Sequence, residues 1–277
     1  MTLITSTIPA PTAPHYRPSG VMRSEWTKIR SVRSTTWTLL ATVVITIGIG
    51  ILATASQAGR YAHFGPVDRL IWDPTSLSLV GIVFGQLALG ILGVLVMSAE
   101  YGTGTIRSTL AAVPNRPLFL AAKAGVFAAV AFIVGEILSF SAFFVGQMIL
   151  SGSAPHATLG QAGVLRAVAG GGLYLAVLGL LALGLASIIR HTAGAIAAFV
   201  GVLLVLPLIT QNLPSSISNA IGKFEPINIG VAMTRVNPHL ASGSVPSFSP
   251  WVGLAVLAGY AAVVLGIGGW MLVRRDA

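Results

Sequence analysis

Side chains able to do chemistry are sparse in this sequence, and no set of them forms a reaction centre. The five histidines, His15, His63, His156, His191 and His239, are scattered. No H-E-x-x-H pair places two imidazoles one helical turn apart for zinc. No G-x-S-x-G nucleophile elbow is present. The chain has no cysteine, so thiolate metal sites, disulfides and cysteine nucleophiles are excluded. The phosphate-binding pattern G-x-x-x-x-G-K-[ST] is missing, and the one Gly-Lys pair, Gly222–Lys223, lacks the upstream glycine. We expect no catalysis, no ATP hydrolysis, and no metal or cofactor held by this chain. Asp68 and Asp73 have Arg69 as an obvious partner. One acid stands apart: Glu136 lies deep in an apolar run, with Gln147 three turns further on and Gln86 in an earlier run. Such residues are costly in a membrane and face a bundle interior or cavity. Two readings stay open. Glu136, Gln86 and Gln147 mark a substrate pathway, or Glu136 is a neutral or hydrogen-bonded acid that fixes helix packing.

The elements that must position these groups follow from composition. Of 277 residues, 55% are hydrophobic and 8% are charged, against about 25% charged in a soluble domain. So apolar surface must face lipid. We expect an all-α integral membrane fold with six transmembrane helices, near 36–56, 76–99, 122–150, 164–189, 194–211 and 250–273, each near the roughly 20 apolar residues that span a bilayer. Residues 1–19 read as a disordered tail without a secretory signal, and residues 20–277 as a single membrane domain. Eleven Lys/Arg fall on the side of both termini: Arg17, Arg23, Lys28, Arg30, Arg33, Arg107, Arg116, Lys123, Arg190, Arg274 and Arg275. Five fall on the other: Arg60, Arg69, Arg166, Lys223 and Arg235. The bias puts both termini in the cytoplasm, and this placement accounts for the net charge of +9 without nucleic acid. His191 beside Arg190 is expected to end the fourth span. Gly81 with Gly85, and Gly170–Gly172, predict close helix contacts, and Pro207 predicts a kink. The long loop Leu213–Ser249 has two readings: two helices lying on the outer surface as caps, with Pro214 and Pro226 at first-turn positions, or an irregular loop.

Two stretches on the inner side carry more information. Gly20–Thr35 reads as an interfacial amphipathic helix, with Met22, Trp26 and Ile29 on one face, Val32 at its edge, and Arg23, Thr27 and Arg30 on another, or as a plain basic flank that sets topology. Ser19 is placed to cap such a helix. Between the second and third spans, Glu100–Thr105 is polar and Gly-rich. Ile106, Leu110 and Val113 then recur at helical spacing before Pro114 and Pro117. A short helix there suits either docking into a partner's groove, with its apolar residues offered beside Arg107 and Arg116, or lying on the lipid.

The runs SEWTKIRSVRSTTWTLLAT and MSAEYGTGTIRSTLAAVPNRPLFLAAK resemble the membrane (permease) subunits of type-2 ABC transporters, and within them an actinobacterial drug or antibiotic exporter branch. The resemblance covers nearly the whole chain. Its specific part is E-Y-x-x-G-T-I-R-x-T-L-x-x-x-P-x-R, matched by Glu100 through Arg116. It implies that Gly20–Thr35 is an elbow helix and that Thr105–Val113 is a coupling helix seated in a separate ATP-binding subunit. Glu100, Gly104, Thr105, Ile106, Arg107, Leu110 and Arg116 would form or flank that contact. Two ATPases would bring ATP and Mg, and a second permease, identical or paralogous, would complete the unit. The implied activity is export of an amphiphilic small molecule, an antibiotic or lipid-like compound, across the bacterial cytoplasmic membrane by alternating access. Two other classes compete: a non-transport sensor or immunity protein, and an ion-coupled carrier. The carrier class often has inverted repeats, and none relates spans one to three with four to six.

Overall fold

The computed structural model describes residues 17–31, 33–236 and 247–274. The described residues are helical, with turns and no strand. Among the described residues, six helices are long and apolar enough to cross a membrane.

Helix α1 (Pro18–Ser31) opens the fold. Pro18, whose fixed φ suits a first turn, begins it, so Ser19 lies inside the helix rather than capping it. Of the expected tail, residues 1–16 lie outside the described residues. So does Val32, at the edge of the expected apolar face. Helix α2 (Arg33–Arg60) is the first long helix. Two short helices follow, α3 (Pro66–Leu70) and α4 (Pro74–Ser78). Asp73 caps α4, its Oδ1 accepting from Ser76 N at 3.0 Å.

The second expected span is not one helix. A turn at residues 79–81 separates α4 from α5 (Ile82–Gly102). The backbone there lies against α2: a Cβ on Gly81 would sit 1.9 Å from Thr46 O, and one on Gly85 would sit 2.8 Å from Thr46 Oγ1. The predicted glycine pair is thus the α2–α5 contact, and no larger residue fits. Helix α6 (Thr105–Ala112) follows Gly104, whose φ of +72° suits glycine.

Helix α7 (Arg116–Leu150) starts six residues earlier than expected. Asn115 caps it by accepting from Leu118 N at 3.1 Å, and Pro117 occupies its first turn. Helix α8 (Val164–Ile189) is the centre of the bundle and packs on α5, α7 and the last helix. Its glycines allow this: a Cβ on Gly172 would clash with Glu136 and one on Gly171 with Ser139 and Ile82.

Arg190, not His191, ends α8 as its C-cap; His191 instead caps α9 (Thr192–Val200), accepting from Gly194 N at 3.3 Å. A π-helical turn at Gly201–Val205 leads into α10 (Leu206–Thr210). The predicted Pro207 kink takes this form. Pro207 offers no N–H to the preceding turn and its ring crowds that turn's carbonyl, which the wider turn relieves.

Of the long loop, α11 (Ser215–Gly222) is exposed, but α12 (Pro226–Thr234) is not a surface cap. It inserts between α8 and α13 (Pro250–Arg274), burying Ile229, Ala232 and Met233. Gly230 and Gly170 leave the room: a Cβ on either would strike Tyr174 or Met233. Pro226 takes the expected first-turn position, whereas Pro214 stands just outside α11 as its N-cap.

Candidate functional site: a buried charge cluster at the basic end

Two ends of the bundle differ in chemistry. One collects α1, the C-terminus of α5, α6, the N-terminus of α7 and the C-termini of α8 and α13. Four ionisable side chains meet there. Lys123, 2% exposed, holds Glu25 Oε2 at 2.5 Å and Glu100 Oε1 at 2.7 Å. Lys28 holds Glu25 Oε1 at 2.7 Å and Glu100 Oε1 at 2.8 Å. Two carboxylates and two ammonium groups cancel. Both lysines also lie over the Phe119 ring, at 5.8 Å for Lys28 and 5.2 Å for Lys123, adding a cation–π contribution. Burial lowers the Lys28 pKa, but hydrogen bonds and charge from Glu100 and Glu25 outweigh it and hold the ammonium above the usual lysine range. Glu25, Lys123 and Glu100 come from three elements, so the cluster ties α1 to the ends of two long helices.

The cluster reaches α6 as well: Lys28 Nζ lies 3.5 Å from Thr109 Oγ1. Ile106 is buried in the core, and Leu110 and Val113 pack partly against it. This corrects the expectation that α6 offers its apolar residues to a partner. A short one-sided helix satisfies that face first against its own bundle. Its exposed face is Thr105, Arg107, Ser108, Ala111 and Ala112. Gly104 is exposed just before it.

Arg116 caps the end of α13, donating from Nη1 to Leu272 O at 2.7 Å and Val273 O at 3.3 Å. Arg190, the non-glycine residue with φ of +59°, donates to Met271 O at 3.0 Å. Its guanidinium lies over the Tyr101 ring at 5.5 Å. A residue in that conformation costs about 1 kcal/mol or more, and here its side chain joins α8 to α5 and α13.

No family model matches the chain, and no curated protein matches it either.

On α1, Met22 and Trp26 are about half exposed on a shared face, Ile29 is half-buried and Arg30 is exposed. Glu25 and Val21 form the inward face. The three expected pathway residues do not converge. Gln86 is buried and accepts from Tyr174 Oη at 2.5 Å inside the bundle. Gln147 is buried at the far end: its Nε2 donates to Pro74 O (3.0 Å) and Ser78 Oγ (2.8 Å), and its Oε1 accepts from Ala157 N (2.6 Å). Glu136 is half-buried in α7.

Glu25, Lys28 and Lys123 were the cluster residues missed by sequence reasoning. Lys28 and Lys123 read as two of the many basic residues flanking spans. One signal was present: Glu25 is the lone acid among the bases from Arg17 to Arg33.

Proposed function

We propose that this chain is the membrane-spanning subunit of an ATP-driven exporter, with α6 and α1 as its coupling and elbow elements. The basic end then faces the cytoplasm, as the eleven-to-five distribution of Lys and Arg favours. The carrying observation is the charge cluster. It links the polar, exposed α6 helix and the interfacial α1 helix to the inner ends of α5 and α7 through one set of hydrogen-bonded charges. A partner pressing on the exposed face of α6 would move α1, α5 and α7 together, because each is held by the same two carboxylates.

In this reading a separate subunit supplies ATP hydrolysis. Arg107 and Ser108 meet its surface, Met22 and Trp26 hold α1 in the inner leaflet, and Arg30 meets lipid headgroups. Closure of two such ATPases drives alternating access in a pair of permeases. The amphiphilic substrate class follows from the resemblance of Glu100 through Arg116 to drug-exporter permeases. Purification with a tagged candidate ATP-binding subunit tests the proposal. The complex should form, and transport should stop when the ATPase is inactivated. Export that persists with a dead ATPase would overturn it and favour an ion-coupled carrier.

A further inference from the structure

Glu136 does not share the fate of the other buried acids. Glu25 and Glu100 are paired with lysines, and Glu225 accepts from Thr210 and Asn228. Among the described residues, no hydrogen bond or ion pair reaches the Glu136 carboxyl group. Its depth follows from α8. A Cβ on Gly172 would sit 2.7 Å from Glu136 Cδ, so the two residues are level. Gly172 lies eight residues past Val164, which is about 12 Å at 1.5 Å per residue. The hydrocarbon core is about 30 Å thick. Glu136 therefore stands well inside the membrane, in the half nearer the far end.

It also stands at the lipid boundary. Ile133 is 55% exposed and Ile137 is 56% exposed, on either side of it. Phe132, Glu136, Phe140 and Phe144 recur every four residues, along one oblique ridge of α7. Phe132 and Phe144 are exposed, and Phe140 is half-buried. The ridge thus presents one acid between aromatic rings.

We propose that this ridge is a binding site for a lipophilic organic cation that enters from the bilayer, with Glu136 as its counter-charge. A carboxylate in hydrocarbon without a counterion is costly. Left alone, the acid stays protonated and neutral; the described residues of the bundle supply no cation to ionise it, so in this proposal the counter-charge arrives from the lipid. It must then be cationic, and it must carry enough apolar surface to partition there. A bare or hydrated metal ion fails the second requirement. The flanking phenylalanines add π faces that favour an onium or ammonium centre. This deepens the export proposal by naming a substrate class, and it rests on that proposal only for what happens after binding.

The test uses the full-length chain in nanodiscs of zwitterionic phosphatidylcholine, which offers the probe no anionic lipid. Labelled tetraphenylphosphonium is titrated without any ATPase, so a failure of the exporter reading and a failure of this site are separate results. Wild type should bind saturably. Glu136→Gln, which keeps size and hydrogen bonding, should weaken binding by about tenfold or more, equivalent to about 1.4 kcal/mol. Glu136→Asp should keep most of the affinity, and Phe140→Leu should lose a smaller part. Neutral triphenylphosphine oxide should not compete. Unchanged binding in Glu136→Gln, effective competition by the neutral analogue, or non-saturable binding by wild type would each overturn the site and leave Glu136 a packing residue.

Discussion

The two ends of the bundle are closed by different means. At the basic end, Arg116 and Arg190 bond the α13 backbone, but the centre is side chain to side chain: Glu25, Lys28, Glu100 and Lys123 form one neutral cluster joining residues up to 98 positions apart. At the far end, side chains mostly bond backbone. Trp72 donates to Pro155 O, Asp73 accepts from Val236 N, and Arg166 donates to Met233, Arg235 and Val236 carbonyls. Gln147 joins α4 and the loop after α7 in the same way. Backbone partners stay in place whatever the neighbouring side chains do, so the far end is a set of independent ties. A cluster of four mutually compensating charges behaves as a unit. Moving one member exposes the others to a buried, uncompensated charge, so the basic end is suited to transmit displacement and the far end to resist it.

The sharpest way to break this comparison is Lys123→Met. It leaves two carboxylates to one half-exposed lysine, and removing one partner from a buried pair costs about 3–5 kcal/mol. Thermal unfolding in detergent should show the loss. Adding Glu25→Met in the same chain should recover much of it, leaving Glu100 and Lys28 as a matched pair. If the double variant is no better than the single one, the four charges are not a unit. At the far end, Gln147→Leu strands a buried N–H and two acceptors, and should cost about 1–3 kcal/mol. No distant second substitution should rescue it.

A smaller effect separates the ends by pH. The folded pKa of Lys28 is raised above its usual 10.5. Its contribution is therefore complete below about pH 10.5, the unfolded value, and is lost as pH rises through the higher folded value. The stability difference between wild type and Lys28→Met should shrink in that alkaline window, while the Gln147→Leu difference should not. A pH-independent Lys28→Met difference would contradict the cluster's charge state. The last variant is Arg107→Glu, on the exposed face of α6: ATPase activity of the proposed complex should no longer follow transport. Coupling that survives this charge reversal would remove Arg107 from the contact.

The long helices were legible because hydropathy over twenty residues does not depend on what lies beside them. Their interruptions were not. The run 76–99 is mostly apolar, and its break at residues 79–81 is set by the approach of the α2 backbone to Gly81, which no local pattern records. Helix α12 read as a surface cap because it is only nine residues long and lies within the long loop, and small Gly170 and Gly230 on two elements make its slot. At the site, Ile106, Leu110 and Val113 gave a helix from their spacing, but spacing cannot say which side is covered. Lys123 is the clearest case. A lysine at the edge of an apolar run reads as a flank facing water, and only the arrival of Glu25 and Glu100 from elsewhere makes its burial tolerable.

The central claim is that the exposed face of α6 is where a separate ATP-binding subunit presses. The chain has no cysteine, so a single introduced thiol is unique. Ser108→Cys on α6 and Ser153→Cys at the far end, both exposed, should be compared in membranes with the candidate ATPase and a short bifunctional maleimide. The account predicts a crosslink from position 108 whose yield changes with ATP, and none from position 153. Absence of any crosslink at 108 from a complex that still transports, or equal crosslinking at both ends, would contradict it.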